Sequence, residues 1–182
     1  AIGEIGDLLQ TFNAMLRIAQ IEHGERRAGF TTVDLAVIAQ DVVEFYEPAA
    51  EKKAIRLSWV APPHGVEMQG DPSLLFEAVG NLVDNAIKFT PEHGQVTVSV
   101  DRGGIAVRDD GPGIPPEEVE AMLTPFRRGE GSRQSPGNGL GLTLVQSVAR
   151  LHALDLVVEA TEPGCSVSLA IPPPERVEAN PS

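Results

Sequence analysis

The chain has 182 residues, 42% of them hydrophobic, and a formal net charge of −12, enough apolar material for one buried core and a small appendage. So acidic a composition argues against a nucleic-acid partner, because phosphate backbones are held by basic surfaces, and a single cysteine, Cys165, excludes an intramolecular disulfide. No apolar run approaches the roughly 18 residues that cross a bilayer, and no signal peptide opens the chain; it begins at Ala1 inside what reads as a running helix, so a piece of a longer protein is expected.

Apolar side chains at Ile2, Ile5, Leu9, Phe12, Leu16 and Ala19 come first. Their alternating spacing of four and three is that of a coiled-coil seam, which predicts a helix presenting a dimer stripe; packing of the helix on the following domain is the alternative. Gly24 stops it, and residues 24–29 read as a linker. Residues 30–33 are extended, and Asp34 caps a helix to about residue 53 with Leu35, Ile38, Val42, Val43 and Tyr46 on one face. Residues 55–60 alternate as a strand. Asp71-Pro72 is a cap followed by proline at the first helical position, opening a helix to about Phe89. Residues 95–100 and 104–107 form a hairpin, and Pro115 starts a short helix through Met122. Residues 129–138, rich in Gly and Ser with no apolar anchor, read as a flexible cover. A helix over 140–151 and strands over 156–159 and 166–171 complete the fold, and residues 173–182 read as a disordered tail. Strands and helices do not alternate regularly, so the expected class is α+β: a mixed sheet with helices on one face. Cys165 falls in an alternating apolar stretch and reads as a core filler.

Four ordered blocks carry the chemistry. Asn81, Asn85 and Lys88 share one helical face. An Asn carbonyl can complete the shell of a Mg²⁺ already held by phosphates, and a lysine meets phosphate as a point charge. Asp109, in Asp109-Asp110-Gly111-Pro112-Gly113-Ile114, ends a strand; its carboxylate can accept from an adenine amino group and would oppose the guanine carbonyl, while Gly111 and Gly113 admit backbone close to the base. Pro125-Phe126-Arg127-Arg128 is the third block. Gly137-Asn138-Gly139-Leu140-Gly141-Leu142 opens a helix whose N-terminal N–H groups suit phosphate. It is not a P-loop, and the Ser/Thr kinase motifs are absent.

This ordered set resembles the N, G1, F and G2 boxes of sensor histidine kinases, in the GHKL superfamily with gyrase, mismatch-repair ATPases and a chaperone ATPase. The resemblance covers residues 30–172, and the opening helix, residues 1–29 with its linker, resembles the second helix of the kinase dimerisation hairpin. It implies a Bergerat-type two-layer α/β sandwich with a mixed, mostly antiparallel sheet, and ATP with Mg²⁺ bound under a lid. The implied roles fall on Asn85 with Asn81 for metal and phosphate, Lys88 for phosphate, Phe89 and Ile114 beside adenine, and Asp109 for its amino group. Arg128 would reach the γ-phosphate, and Gly137, Gly139, Leu140, Gly141 and Leu142 would form the lid hinge and cradle. The implied partners are a hairpin carrying the phosphoacceptor histidine, a response-regulator receiver domain and a second copy of the full-length protein, in the cytoplasm, whether or not the parent is anchored in the inner membrane.

The family's phosphoacceptor box is missing: His23, His64, His93 and His152 stand in the wrong contexts and read as surface or turn histidines. Leu151-His152-Ala153-Leu154 also replaces a more usual Gly-Gly. The ATP-hydrolysing clamps carry a Glu where this chain has Asn81, which favours phosphotransfer over hydrolysis; an anti-sigma-type serine kinase is the further alternative.

Overall fold

The computed structural model describes residues 2–23, 29–123 and 141–174. Five calls therefore lie outside the described residues: the linker at 24–28, the block holding Arg128, the cover at 129–138, the positions Gly137, Gly139 and Leu140, and the tail from 175. The elements run α1 Ile2–Glu22, β1 Thr31–Asp34, α2 Leu35–Lys52, β2 Arg56–Val60, β3 Glu67–Gly70, α3 Pro72–Phe89, β4 Gln95–Asp101, β5 Gly104–Asp109, α4 Pro116–Leu123, α5 Gly141–Leu151, β6 Asp155–Ala160 and β7 Cys165–Ala170.

The main sheet has the order β2-β4-β5-β7-β6; β2 and β4 are parallel and the other pairs antiparallel. Val98, Val107, Val167 and Val158 form one cross-strand row, and Val100, Ile105, Leu169 and Leu156 another. These rows point toward α2, α3 and α5, and their β4 and β5 members are buried, whereas the intervening Thr97, Ser99, Ala106, Ser166 and Ser168 lie on the other face and are only half-buried, as the two-residue period of a strand dictates. The class is thus α+β, a mainly antiparallel sheet with helices on one face. β1 and β3 form a separate antiparallel pair with Thr32 opposite Gln69.

Two aspartates set the helix entries. Asp34 Oδ1 accepts from the N–H of Ala36 at 2.9 Å and of Val66 at 3.0 Å, so the cap of α2 also ties down the loop before β3. Asp71 Oδ1 accepts from Ser73 and Leu74 N–H at 2.9 and 3.2 Å, with Pro72 at the first position of α3. Leu74, Leu75, Ala78, Val79, Leu82, Val83, Ala86 and Ile87 bury one face of α3, in the helical period. Gly80 lets α2 come close: a Cβ there would lie 3.2 Å from the Tyr46 ring.

Both readings of the opening helix find a face. Ile21, 3% exposed, and the half-buried Ile18 join the core; Arg17 pairs with Glu77 of α3 at 2.9 Å, and Glu22 accepts from Ser147 of α5 at 3.3 Å. Ile5, Leu9, Phe12 and Leu16 instead face outward, Phe12 being 59% exposed. His152 stands in the turn after α5, as one half of its reading expected, but it is not at the surface. It is 7% exposed, its Nδ1 lies 2.8 Å from Val148 O, its Nε2 accepts from Asp71 N–H at 3.0 Å, and its ring stacks on Phe30 at 4.7 Å. It pins the end of α5 to the start of α3.

Candidate nucleotide site

Asp109 is half-buried on the inward face of its strand. In β5 the residues Ile105, Val107 and Asp109 alternate onto the helix-facing side, and Asp109 shares its row with Val96 and Cys165. Its Oδ1 accepts from Gly111 N–H at 2.9 Å, and the Cys165 N–H also donates to the carboxylate. Burial is the main influence on this carboxyl and raises it above its ordinary value; the two backbone donors oppose that shift and Asp110 adds to it. Gly111, two residues on, fits closely into this packing: a Cβ there would lie 3.0 Å from Asp109 Oδ1 and 3.2 Å from Phe89 O, so its neighbours would have to shift.

Above this carboxylate lies a cavity of about 270 Å³. Val107, Val158, Cys165 and Val167 of the sheet form its floor with Asp109; Leu82, Asn85, Lys88 and Phe89 of α3 form one wall; Gly113, Ile114 and Val119 form the opposite side, and Leu142 comes from the start of α5. Apolar walls with a few convergent polar groups are the ordinary makeup of a small-molecule site. Gly113 has φ +79, and a Cβ there would meet Gly164 O at 3.0 Å, so the loop can take this path only with glycine. Gly141 brings the first turn of α5 against Asn85, whose amide nitrogen would lie 3.7 Å from an added Cβ. A carboxylate in an apolar slot, with an amide, an ammonium and a helix N-terminus at its α3 side, suits a purine joined to a polyanion.

Most of the described residues singled out from the sequence converge here: Asn85, Lys88, Phe89, Asp109, Gly113, Ile114 and Leu142 all line the cavity. Asn81 is one turn back on α3 and half-buried, and Gly111 lies buried behind Asp109; neither is among the lining residues. Lys88 is already engaged, its Nζ 2.7 Å from Asp84 Oδ2. The sequence reading missed Asp84, although a carboxylate four residues before a lysine on a helix is a recognisable pair. It also missed the cavity role of Cys165, which is buried as expected but adjoins the same slot, where burial and the neighbouring Asp109 push its thiol up to about 11.

The family described as histidine kinase-, DNA gyrase B- and HSP90-like ATPase matches residues 70–175, more than half of the chain. The chain belongs to that family of ATP-binding domains. Among individual relatives, it is 34% identical to the histidine protein kinase DivJ of Caulobacter vibrioides, over 92% of this chain and 29% of that protein. It is 33% identical to the sensor-like histidine kinase SenX3 of Mycobacterium tuberculosis, over 96% and 43%. It therefore spans less than half the length of these curated relatives. Of solved structures, the mycobacterial sensor histidine kinase MprB aligns with a TM-score of 0.63 at 29% identity, covering 78% of this chain and 98% of that one. Full-length ShkA, solved in complex with AMPPNP, gives 0.73 at 27%, covering 90% and 35%. Among the described residues no helix is long and apolar enough to cross a membrane.

Proposed function

We propose that this chain is the ATP-binding catalytic part of a two-component sensor histidine kinase, and that it passes the γ-phosphoryl of Mg-ATP to a histidine outside residues 1–182. The observation carrying this reading is the convergence of Asn85, Lys88, Phe89, Asp109, Gly113, Ile114 and Leu142 on one cavity. Asp109 accepts the adenine amino hydrogen, held for that task by two backbone N–H donors. Phe89 and Ile114 flank the ring. Asn85, supported by Asn81 one turn away, supplies amide oxygen for Mg²⁺, and Lys88 meets phosphate after leaving Asp84. Gly141 and Leu142 begin the helix whose N–H groups serve phosphate, with Gly137, Gly139 and Leu140 preceding them in sequence, and Arg128 is assigned to the γ-phosphate. The metal's contribution when bound is to offset phosphate charge; the chain's own contribution is to select adenine, orient the phosphates and limit water.

The absence of a carboxylate at position 81 supports transfer over hydrolysis, since Asn81 cannot take a proton from water. In this reading residues 1–29 are the second helix of a dimerisation hairpin with its linker, and the exposed Ile5, Leu9, Phe12 and Leu16 meet the rest of that hairpin and a second copy. A response-regulator receiver domain takes the phosphoryl onward, and the reaction is cytoplasmic. The test uses γ-labelled ATP with the chain alone and with a separate hairpin bearing an intact histidine. Expected is no labelling alone and slow, acid-labile labelling of the hairpin, slow because docking now depends on concentration. Acid-stable label on the chain itself would overturn this reading in favour of a serine kinase.

A further inference from the structure

The last turn of α3 carries two cavity residues, Lys88 and Phe89, and a helix end has four carbonyls without intrahelical partners. Here the first of them, Ala86 O, accepts from Thr90 N–H at 3.0 Å. The next two are taken by one side chain just past the end of α2: Lys53 Nζ donates to Ile87 O and to Lys88 O, each at 2.8 Å. An ammonium at the negative end of a helix is favoured in charge as well as in hydrogen bonding.

Lys53 is itself aimed by a built junction. It is the C-cap of α2, its own N–H donating to Ala50 O and Glu51 O. Ala54 follows at φ +56, and its carbonyl accepts from the N–H of His93, at φ +68, at 3.0 Å. Arg56 N–H then donates to Gly94 O at 2.9 Å. Two non-glycine residues in the left-handed region, hydrogen-bonded to each other, are costly unless the surroundings enforce them. The end of α2 and the exit of α3 are thereby fastened together, with Lys53 Nζ inserted at the helix end.

We infer that Lys53 is a positioning residue for nucleotide binding: by holding the Ile87 and Lys88 carbonyls it fixes the turn that places the Phe89 ring and the Lys88 ammonium in the cavity. It touches neither base nor phosphate. The inference rests on the nucleotide reading above, and its test separates the two. The full chain is compared with Lys53→Met, which keeps the stem and loses the donors, with Lys53→Gln, which keeps a neutral donor, and with Lys53→Arg.

Binding of Mg-ADP is measured well below the melting temperature, with amide exchange followed at residues 88–94. Lys53→Met is expected to weaken Mg-ADP by about tenfold, to speed exchange in that segment, and to leave exchange in β5 and β7 unchanged. Lys53→Arg should recover most of the affinity, and Lys53→Gln should fall between. If Lys53→Met does not fold, the same ordering of Gln, Arg and the unsubstituted chain decides the matter. Unchanged Mg-ADP affinity in a folded Met or Gln variant overturns the inference and leaves Lys53 as a stabilising cap. Should the unsubstituted chain bind no adenine nucleotide, the nucleotide reading fails, and the exchange data alone decide whether Lys53 holds this turn.

Discussion

The two sides of the cavity that we propose for adenine and for phosphate are built on opposite plans. Asp109 sits in the last inward position of a central strand and is held by the Gly111 and Cys165 N–H groups, so its carboxylate is aimed before any ligand arrives. Lys88 lies at the surface of a helix and spends its charge on Asp84. In the proposed reading base recognition is thus preorganised, whereas phosphate recognition requires an exchange of partners. Preorganisation lowers the cost of binding at the site that must discriminate, and the exchangeable pair keeps a polyanion site from holding a bare ammonium between turnovers.

The comparison breaks most sharply at Asp109. Asp109→Asn should weaken adenine nucleotides by about 1.5–3 kcal/mol, the scale of a charged hydrogen bond, and calorimetry should show the preference over GTP fall with it. The same change should raise the melting temperature of the free chain. Because burial lifts the Asp109 carboxyl, the folded chain binds a proton there more readily than the unfolded chain does. Its stabilising share is therefore full at low pH and lost as pH rises through the raised value, so ionised Asp109 weighs against the fold at neutral pH. A variant both weaker in binding and less stable would remove the distinction between a functional and a structural carboxylate.

Asn85→Ala comes next. It should abolish the Mg²⁺ dependence of ATP binding, with affinity measured in magnesium falling about tenfold, while circular dichroism stays unchanged. Retention of the metal dependence would move the metal role elsewhere on α3. The frame beneath both halves is tested at His152. Burial lowers this imidazole below its ordinary 6.5, with the Val148 carbonyl and Asp71 opposing. The unfolded chain thus takes up the proton first, so stability is full above about pH 6.5 and declines as pH falls toward the lowered folded value. His152→Ala should cost about 1–3 kcal/mol by leaving Asp71 N–H without its acceptor, and should flatten that decline in denaturant titrations.

The smallest effect is expected at Asp84. Asp84→Asn frees Lys88 and should tighten ATP only about twofold, since a half-exposed helical pair four residues apart contributes a few tenths of a kcal/mol. Adenosine, which lacks phosphate, should not respond. A gain for adenosine as large as that for ATP would show that Asp84 acts on the cavity in general and not on the phosphate side.

Much of this was legible in the sequence because it is local. The alternation that ends at Asp109 is written in six consecutive residues of β5, and the helical face of Asn81, Asn85 and Lys88 in eight of α3. What escaped depends on contacts between distant positions. Strand β3, Glu67–Gly70, is short and polar, and becomes a strand only by pairing with β1. His152 looks like any residue at a helix end until Asp71 and Phe30 close on it. Lys53 reads as one more charged residue ending α2, and its acceptors lie 34 and 35 residues away.

Cys165 is the only thiol in the chain, and it adjoins the slot that Asp109 closes. Any thiol reagent that modifies the folded protein must therefore do so inside that cavity. With the thiol pushed up to about 11 by burial and by Asp109, little thiolate exists at neutral pH and uncatalysed alkylation is slow. The molecule thus carries a native, sluggish gauge of its own occupancy: a single chemical mark whose rate of appearance reports how often the cavity stands open to solvent.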